Sequence, residues 1–295
     1  MLAFLAVGLL AASQSGNIIR LGDAHPVAIA AWRLVLAGAL LAPLAGRRLG
    51  QLAALGRTDR WLLLAAGTAL ALHFFAWIAA VQHTTVARAA TVFAANPVLT
   101  AVAAHLFFRE GFSLRLGLSI GLGFAGVAAI ALEELDPGQG SLAGDGLALL
   151  CSALFTAYFL LGKRLRRRLD NRVYVPALYA VAALVALATL LGLGLPLVDY
   201  DGRTWLCFGL MALVPTMIGH TSFNHAVRYI PAGKISAATL SEPALAGLVA
   251  WFAWDEAVGP WTLAGYGLIA ASVVVLVSDR SGNPSRPAPP APSRS

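Results

Sequence analysis

Long apolar runs, each broken by a short charged or Pro/Gly-containing stretch, recur along the chain up to residue 278. The breaks delimit ten runs, at 2–20, 26–46, 61–81, 87–108, 114–132, 144–162, 173–196, 204–226, 232–254 and 261–278. Each is close to the roughly 20 residues that a helix needs to cross a hydrocarbon core of about 30 Å. The pattern predicts an all-α integral membrane protein with ten transmembrane helices. Residues 279–295, rich in Pro and Ser and without an apolar run, are expected to form a disordered tail.

The pattern also repeats. Shifted by 146 residues without a gap, Asn96-Pro97 falls on Glu242-Pro243, Arg88 on Lys234, Glu110 on Glu256 and Gly121 on Gly267. Ala80, Val81, Leu99, Ala104, Ala125 and Val127 each meet an identical residue. The chain therefore divides into a first five-helix repeat at 1–135, a second at 136–278 and the tail. Five is odd, so the second repeat enters the membrane from the opposite side to the first. Such inverted repeats are a usual construction of secondary transporters, in which the two halves exchange conformations.

Composition narrows the class. Of 295 residues, 59% are apolar and 12% charged, against about 45–50% and 25% in soluble domains. A soluble enzyme, a disordered chain and a collagen-like fibre are excluded. The net charge of +7 suggests nucleic acid until the charges are placed on the spans. With the N-terminus inside, 17 of the 21 basic residues fall on the cytoplasmic side, the run Lys163, Arg164, Arg166, Arg167, Arg168 and Arg172 among them. Asp23, Glu133, Glu134, Asp136, Asp145, Asp199, Asp201, Asp255 and Glu256 fall outside. This is the positive-inside bias; it predicts both termini in the cytoplasm and requires no nucleic-acid partner. The first run starts at Met1 without a basic segment, and no soluble domain follows Ala11-Ala12-Ser13, so a cleaved leader is not expected. A start further upstream would supply the few cytoplasmic residues that normally precede such a helix. Cys151 and Cys207 lie inside apolar runs and are read as packing residues.

Polar side chains inside the spans are the candidate chemistry. Glu242 stands near the middle of the ninth run, where a charge costs roughly 2.5–3.5 kcal/mol on insertion scales. Two readings stay open: proton coupling, or a protonated side chain bonded to the backbone that Pro243 opens. Arg33, two turns into the second run, is expected to snorkel outward or to tie helices together. Thr216, His220 and Asn224 are spaced four apart, and so are His73 and Trp77 on the third run. Position 73 aligns with Gly219, next to His220, so two related helices bring a His to similar depth. These stripes are read as the wall of a central cavity, or as interhelical hydrogen bonding. Ser13, Gln14 and Asn17 on the first run, Asn96 on the fourth, and Phe155 and Tyr158 on the sixth complete the candidate pathway. Phe74 and Phe223 are available to pack a solute, and Pro97 and Pro243 are candidate hinges. Gly117 and Gly121 form a GxxxG pair expected at a close helix contact. No HExxH, P-loop or GxSxG pattern occurs; no metal and no cofactor are expected.

The stretches HPVAIAAWRLVLAGALLAPLAG, AVQHTTVARAATVFAANPVLTAVAAHLFFRE and AVRYIPAGKISAATLSEPALAGLVAWFAWDE resemble the drug/metabolite transporter superfamily, EamA type. The resemblance runs from Leu2 to Val277 as two EamA-like repeats. It implies a five-plus-five helix bundle, a central pathway and solute movement without ATP hydrolysis; most characterised relatives export amino acids or other metabolites. It also includes a basic residue at position 33 and often the Glu-Pro pair. The resulting expectation is a multi-pass transporter of the inner (cytoplasmic) membrane, not an enzyme. It would export a small organic metabolite, an amino acid or a related compound, by alternating access, with the lipid bilayer as its other partner. An importer or exchanger, and a membrane enzyme or regulator acting on lipid-linked substrates, are the alternatives. Substrate, coupling ion and oligomeric state are left open.

Overall fold

The structure, a computed structural model, describes residues 2–84, 86–133, 142–254 and 258–279. The acidic positions Glu134, Asp136, Asp255 and Glu256, the basic positions Arg280, Arg286 and Arg294, and nearly all of the tail lie outside the described residues. Among those described, helix is the only regular structure. Nine helical segments are long and apolar enough to cross a membrane. They are α2 (Pro26–Leu44), α3 (Arg57–His83), α4 (Arg88–Phe108), α5 (Leu114–Glu133), α6 (Leu142–Leu165), α7 (Asn171–Gly192), α8 (Gly202–Ala226), α9 (Ala232–Ala253) and α10 (Pro260–Ser278). A shorter apolar segment, α1 (Ala3–Ile19), precedes them and is broken at Gln14 between Leu2–Ser13 and Ser15–Ile19.

Two boundaries differ from the sequence pattern for identifiable reasons. α3 starts four residues before the predicted 61, because Asp59 sits in its first turn, where the helix dipole favours an acid. The same Asp59, buried, pairs with Arg168. α7 stops at Gly192 and not at 196, because Gly194 takes the left-handed conformation at φ +65° and Leu195 N–H bonds back to Leu190 O at 3.1 Å. Pro196 follows and cannot continue a helix.

The packing shows the same twofold relation as the sequence. α3 packs on α6 and on α7; correspondingly, α8 packs on α1 and on α2. α4 meets α6 as α9 meets α1, and α2–α7, α4–α9 and α5–α10 pair across the repeats. The fourth helix of each repeat is interrupted at the same place. α4 breaks at Ala94-Ala95 ahead of Asn96–Phe108, and α9 tightens into a 3₁₀ turn over Thr239–Ser241 ahead of Glu242–Trp254. Pro97 and Pro243 each occupy the second position after the interruption, where a missing N–H costs nothing. Leu106, Phe107, Phe252 and Val274 remain exposed on the outer faces, as side chains that meet lipid do.

Small residues set the closest approaches. On α5 the glycines that make contact are Gly123 and Gly126, not the predicted Gly117 and Gly121. A β-carbon on Gly126 would stand 2.8 Å from Gly265 O of α10, and one on Gly123 would meet Leu240 and Ser272. Gly121 faces open space and Gly117 only Phe112 of its own turn. α1 and α8 are similarly close, since a β-carbon on Gly219 would meet the Ala12 backbone at 2.9 Å.

Gly126→Val forces α5 and α10 apart, at a cost of about 1–3 kcal/mol or more. It is expected to lower the melting temperature and the monodisperse yield in detergent, while Gly121→Val leaves both unchanged. A second prediction concerns Asp170, which caps α7 by accepting Arg172 N–H at 2.9 Å and pairs with Arg48 at 2.6 Å. The Arg172 backbone N–H, and after it the Arg48 charge, hold its carboxyl below the usual carboxylate range. Its stabilisation is therefore complete above that range and lost as pH falls through the lowered folded value. Asp170→Ala should cost about 1 kcal/mol near neutral pH, with the difference from wild type vanishing at acid pH in melting curves.

Candidate functional site

Pro215 starts the local chemistry. It has no N–H, so Met211 O four residues earlier is left without its usual helical donor. The chain responds by widening into a π-helix over Ala212–His220. Thr216 Oγ1 donates to the freed Met211 O at 2.7 Å and accepts from Arg33 Nε at 2.9 Å. Tyr179 of α7 secures the same turn by donating to Thr216 O at 2.9 Å. Arg33 is thus held inside the bundle, 1% exposed, with its guanidinium carbon 3.8 Å from the centre of the Phe74 ring. A desolvated cation–π contact of this kind contributes on the order of 2 kcal/mol. Its Nη2 is buried without a partner among the described residues. The side chain ties helices, as one sequence reading had it, but it does not snorkel outward.

Arg33 lies against a cavity of about 120 Å³, in which polar groups from both repeats converge. On this measure a water needs roughly 10–15 Å³, so several waters or a small organic solute fit. The cavity extends from exposed Arg20, at the end of α1, to buried Phe223. Aromatic rings form most of its deep wall: Phe74 stands 5.0 Å from His220, Phe155 5.4 Å from His73, and Trp77 5.7 Å from Phe93. The two His rings, from α3 and α8, are 6.0 Å apart. His73 Nδ1 bonds Cys151 O at 3.0 Å, which requires the proton on Nδ1, and the Cys151 thiol lies 3.1 Å from the same nitrogen. His220 Nδ1 bonds the Tyr158 hydroxyl at 2.9 Å. Trp77 Nε1 is a second buried donor without a partner among the described residues.

Of the residues singled out in the sequence, Ser13, Asn17, Arg33, His73, Phe74, Trp77, Phe155, His220, Phe223, Glu242 and Pro243 line this cavity. The structure offers no bond between Glu242 and the backbone that Pro243 opens; among the described residues its carboxyl has no hydrogen-bond or ion-pair partner. Thr216 is not on the cavity wall, because the π-turn breaks the four-residue spacing from which the stripe was read, and it stands behind Arg33. Asn224 lies past the deep end, its carbonyl accepting from Arg166 Nε at 3.0 Å. Tyr158 backs His220 and does not line the cavity. Gln14 turns aside to donate to Ser13 Oγ at 2.7 Å and accept from Asn17 at 3.0 Å. Asn96 is fully buried, accepting from Thr100 and Thr156 at 2.9 and 3.2 Å, with Pro97 buried beside it. Phe93 and Thr239 line the cavity but were missed. The 146-residue offset relates these two positions, each four residues before its proline, and could have found them.

A second cleft, of about 360 Å³, lies at the other end of the bundle among Arg109, Lys163, Arg167, Arg228 and Lys234. Following four helices from one cavity to the other crosses mostly buried residues, among them Asn96 and Thr100 on α4, Thr156 and Gly162 on α6, Asn224 and Ala226 on α8 and Ser236 on α9, while Val98, Leu99 and Ala157 are exposed. A packed layer therefore separates the two. Related ion pairs clasp opposite ends: Arg88 with Asp145 at 2.6 Å, and Lys234, its equivalent in the second repeat, with Asp279 at 3.2 Å. Lys163 and Glu110 pair beside the second cleft.

Comparisons with known proteins agree with this architecture. A protein of Archaeoglobus fulgidus named an uncharacterized transporter is 27% identical over 230 residues, which cover 75% of this chain and 77% of that protein. A solved crystal structure of a protein superposes with a TM-score of 0.76 at 21% identity, covering 92% of this chain and 94% of that one; it speaks for the fold alone. The EamA-like transporter family matches residues 1–132 and again 142–278, one match for each repeat. The chain, a multi-pass membrane protein built from two such repeats, belongs to the EamA-like transporter family.

Proposed function

We propose that this transporter is a secondary active exporter of a small organic metabolite, an amino acid or a related compound, working by alternating access in the cytoplasmic membrane. One observation carries the reading. A single cavity walled by both repeats reaches the surface at one end and is closed off at the other by a packed layer. Exchange of conformation between related halves would open the second cleft and close the first, and the interruptions before Pro97 and Pro243 place bends where each half needs them. The cavity wall supplies positioning and charge, not a reaction. The basic rim of the second cleft supports a cytoplasmic location for it and for both termini.

Untargeted metabolite profiling tests the central claim. Cells lacking the protein should accumulate one solute inside, and cells overexpressing it should release that solute to the medium. The reverse pattern identifies an importer, and no solute that responds in either direction overturns transport of an organic metabolite. With that solute in proteoliposomes, Glu242→Gln is expected to abolish the proton-dependent part of the flux; equal flux at every pH would remove Glu242 from coupling. Topology is tested with Cys151 and Cys207, both free and buried, replaced by alanine. A cysteine at Arg203 should then react with an impermeant maleimide on intact cells, and one at Arg167 only after permeabilisation. The opposite result inverts the orientation.

A further inference from the structure

We propose that Arg33 is the anchor for a carboxylate of the transported solute, so that the solutes handled carry one carboxylate beside a compact apolar body. The inference rests on the reading that the central cavity is the solute site, and it adds which group of the solute goes where. Two arginines, Arg33 and Arg166, are each 1% exposed. Arg166 has the bonds of a structural residue, with Nε on Asn224 O and Nη1 on Leu169 O. Arg33 has one hydrogen bond, through Nε to Thr216, and Nη2 is left without a partner among the described residues. A buried cation is normally neutralised by a counter-charge, since desolvation penalises it otherwise. Among the described residues no carboxylate pairs with it; their ion pairs lie elsewhere.

Arg33 is among the residues that line the cavity, and a planar guanidinium fork matches a carboxylate in two parallel bonds. Trp77 Nε1, the second orphan in the same wall, is also a donor only. Both groups therefore call for an acceptor, and neither can serve a solute that offers only donors. One guanidinium neutralises one carboxylate, so a phosphate or dicarboxylate would leave a second negative charge in the cavity, beside Glu242 whenever that carboxyl is ionised. The aromatic wall of Phe74, Phe93 and Phe155 suits the apolar remainder of the molecule.

The test uses the purified full chain in detergent and reads its melting temperature against three matched sets of compounds. These are the protein amino acids, the amines left when the carboxylate is removed, and the acids left when the amino group is removed; inorganic phosphate is added separately. Members bearing a carboxylate should stabilise the protein, while their matched amines and phosphate should not. Arg33→Lys, which keeps the charge without the fork, and Arg33→Gln should weaken binding by about tenfold or more and erase the preference for acid over amine. Amines that stabilise as well as their parent amino acids, or an Arg33→Gln protein that keeps the preference, would overturn the anchor while leaving the cavity as a solute site. If no compound of any set stabilises the protein, the anchor falls together with the reading beneath it. The wild-type comparison alone decides the matter if either variant fails to fold.

Discussion

A guanidinium enclosed by helices that themselves stand in lipid has to find its partners within a few ångströms, and the placement of Arg33 governs much of this molecule. The requirement reaches back to Pro215. Without an N–H at that position Met211 O is released, the eighth helix widens, and Thr216 can bond both the freed carbonyl and Arg33. Phe74 of α3 covers the flat side of the cation. Three helices, α2, α3 and α8, are thereby fixed around one charge, and they are helices from both repeats. Polar groups within a membrane bundle are costly enough that such convergence is seldom incidental.

The rest of the architecture follows from duplication. α3 against α6 and α8 against α1 are one contact made twice, and so are the interruptions of α4 and α9. The duplicate positions have diverged where chemistry enters: Asn96 is neutral and buried in the packed layer, while Glu242 at the matching place faces the cavity. Gly126 against Gly265 belongs to a different class of constraint. It lets two backbones touch where the repeats meet, and it carries no polar role.

The spans, their number and the duplication were legible in the sequence because lipid imposes a minimum length on every apolar helix and because Pro, Glu and basic residues recur at one offset. The residues of the cavity were legible in part. His73 and Trp77 stand on an ordinary α-helix, so a spacing of four put them on one wall. The stripe through Thr216 and Asn224 failed because Pro215 changes the helical pitch, a tertiary adjustment that periodicity assumes away. For Arg33 the sequence leaves open whether it reaches for the interface or ties helices, since its neighbours say nothing of Thr216, 183 positions away. Gly121 and Gly126 are alike in sequence; only the direction in which each faces distinguishes them.

The packed layer between the two cavities has a property that bears on speed. Asn96 Nδ2, Asn224 Oδ1 and Nδ2, and Ser236 Oγ are buried there without partners among the described residues. A barrier of apolar side chains alone would lose favourable contacts as it parted and gain nothing from the water that entered. These amide and hydroxyl groups gain hydrogen bonds at that moment, which offsets the exposure of their neighbours. In the proposed alternating-access cycle, hydration would work with the opening of this wall and lower the barrier to it.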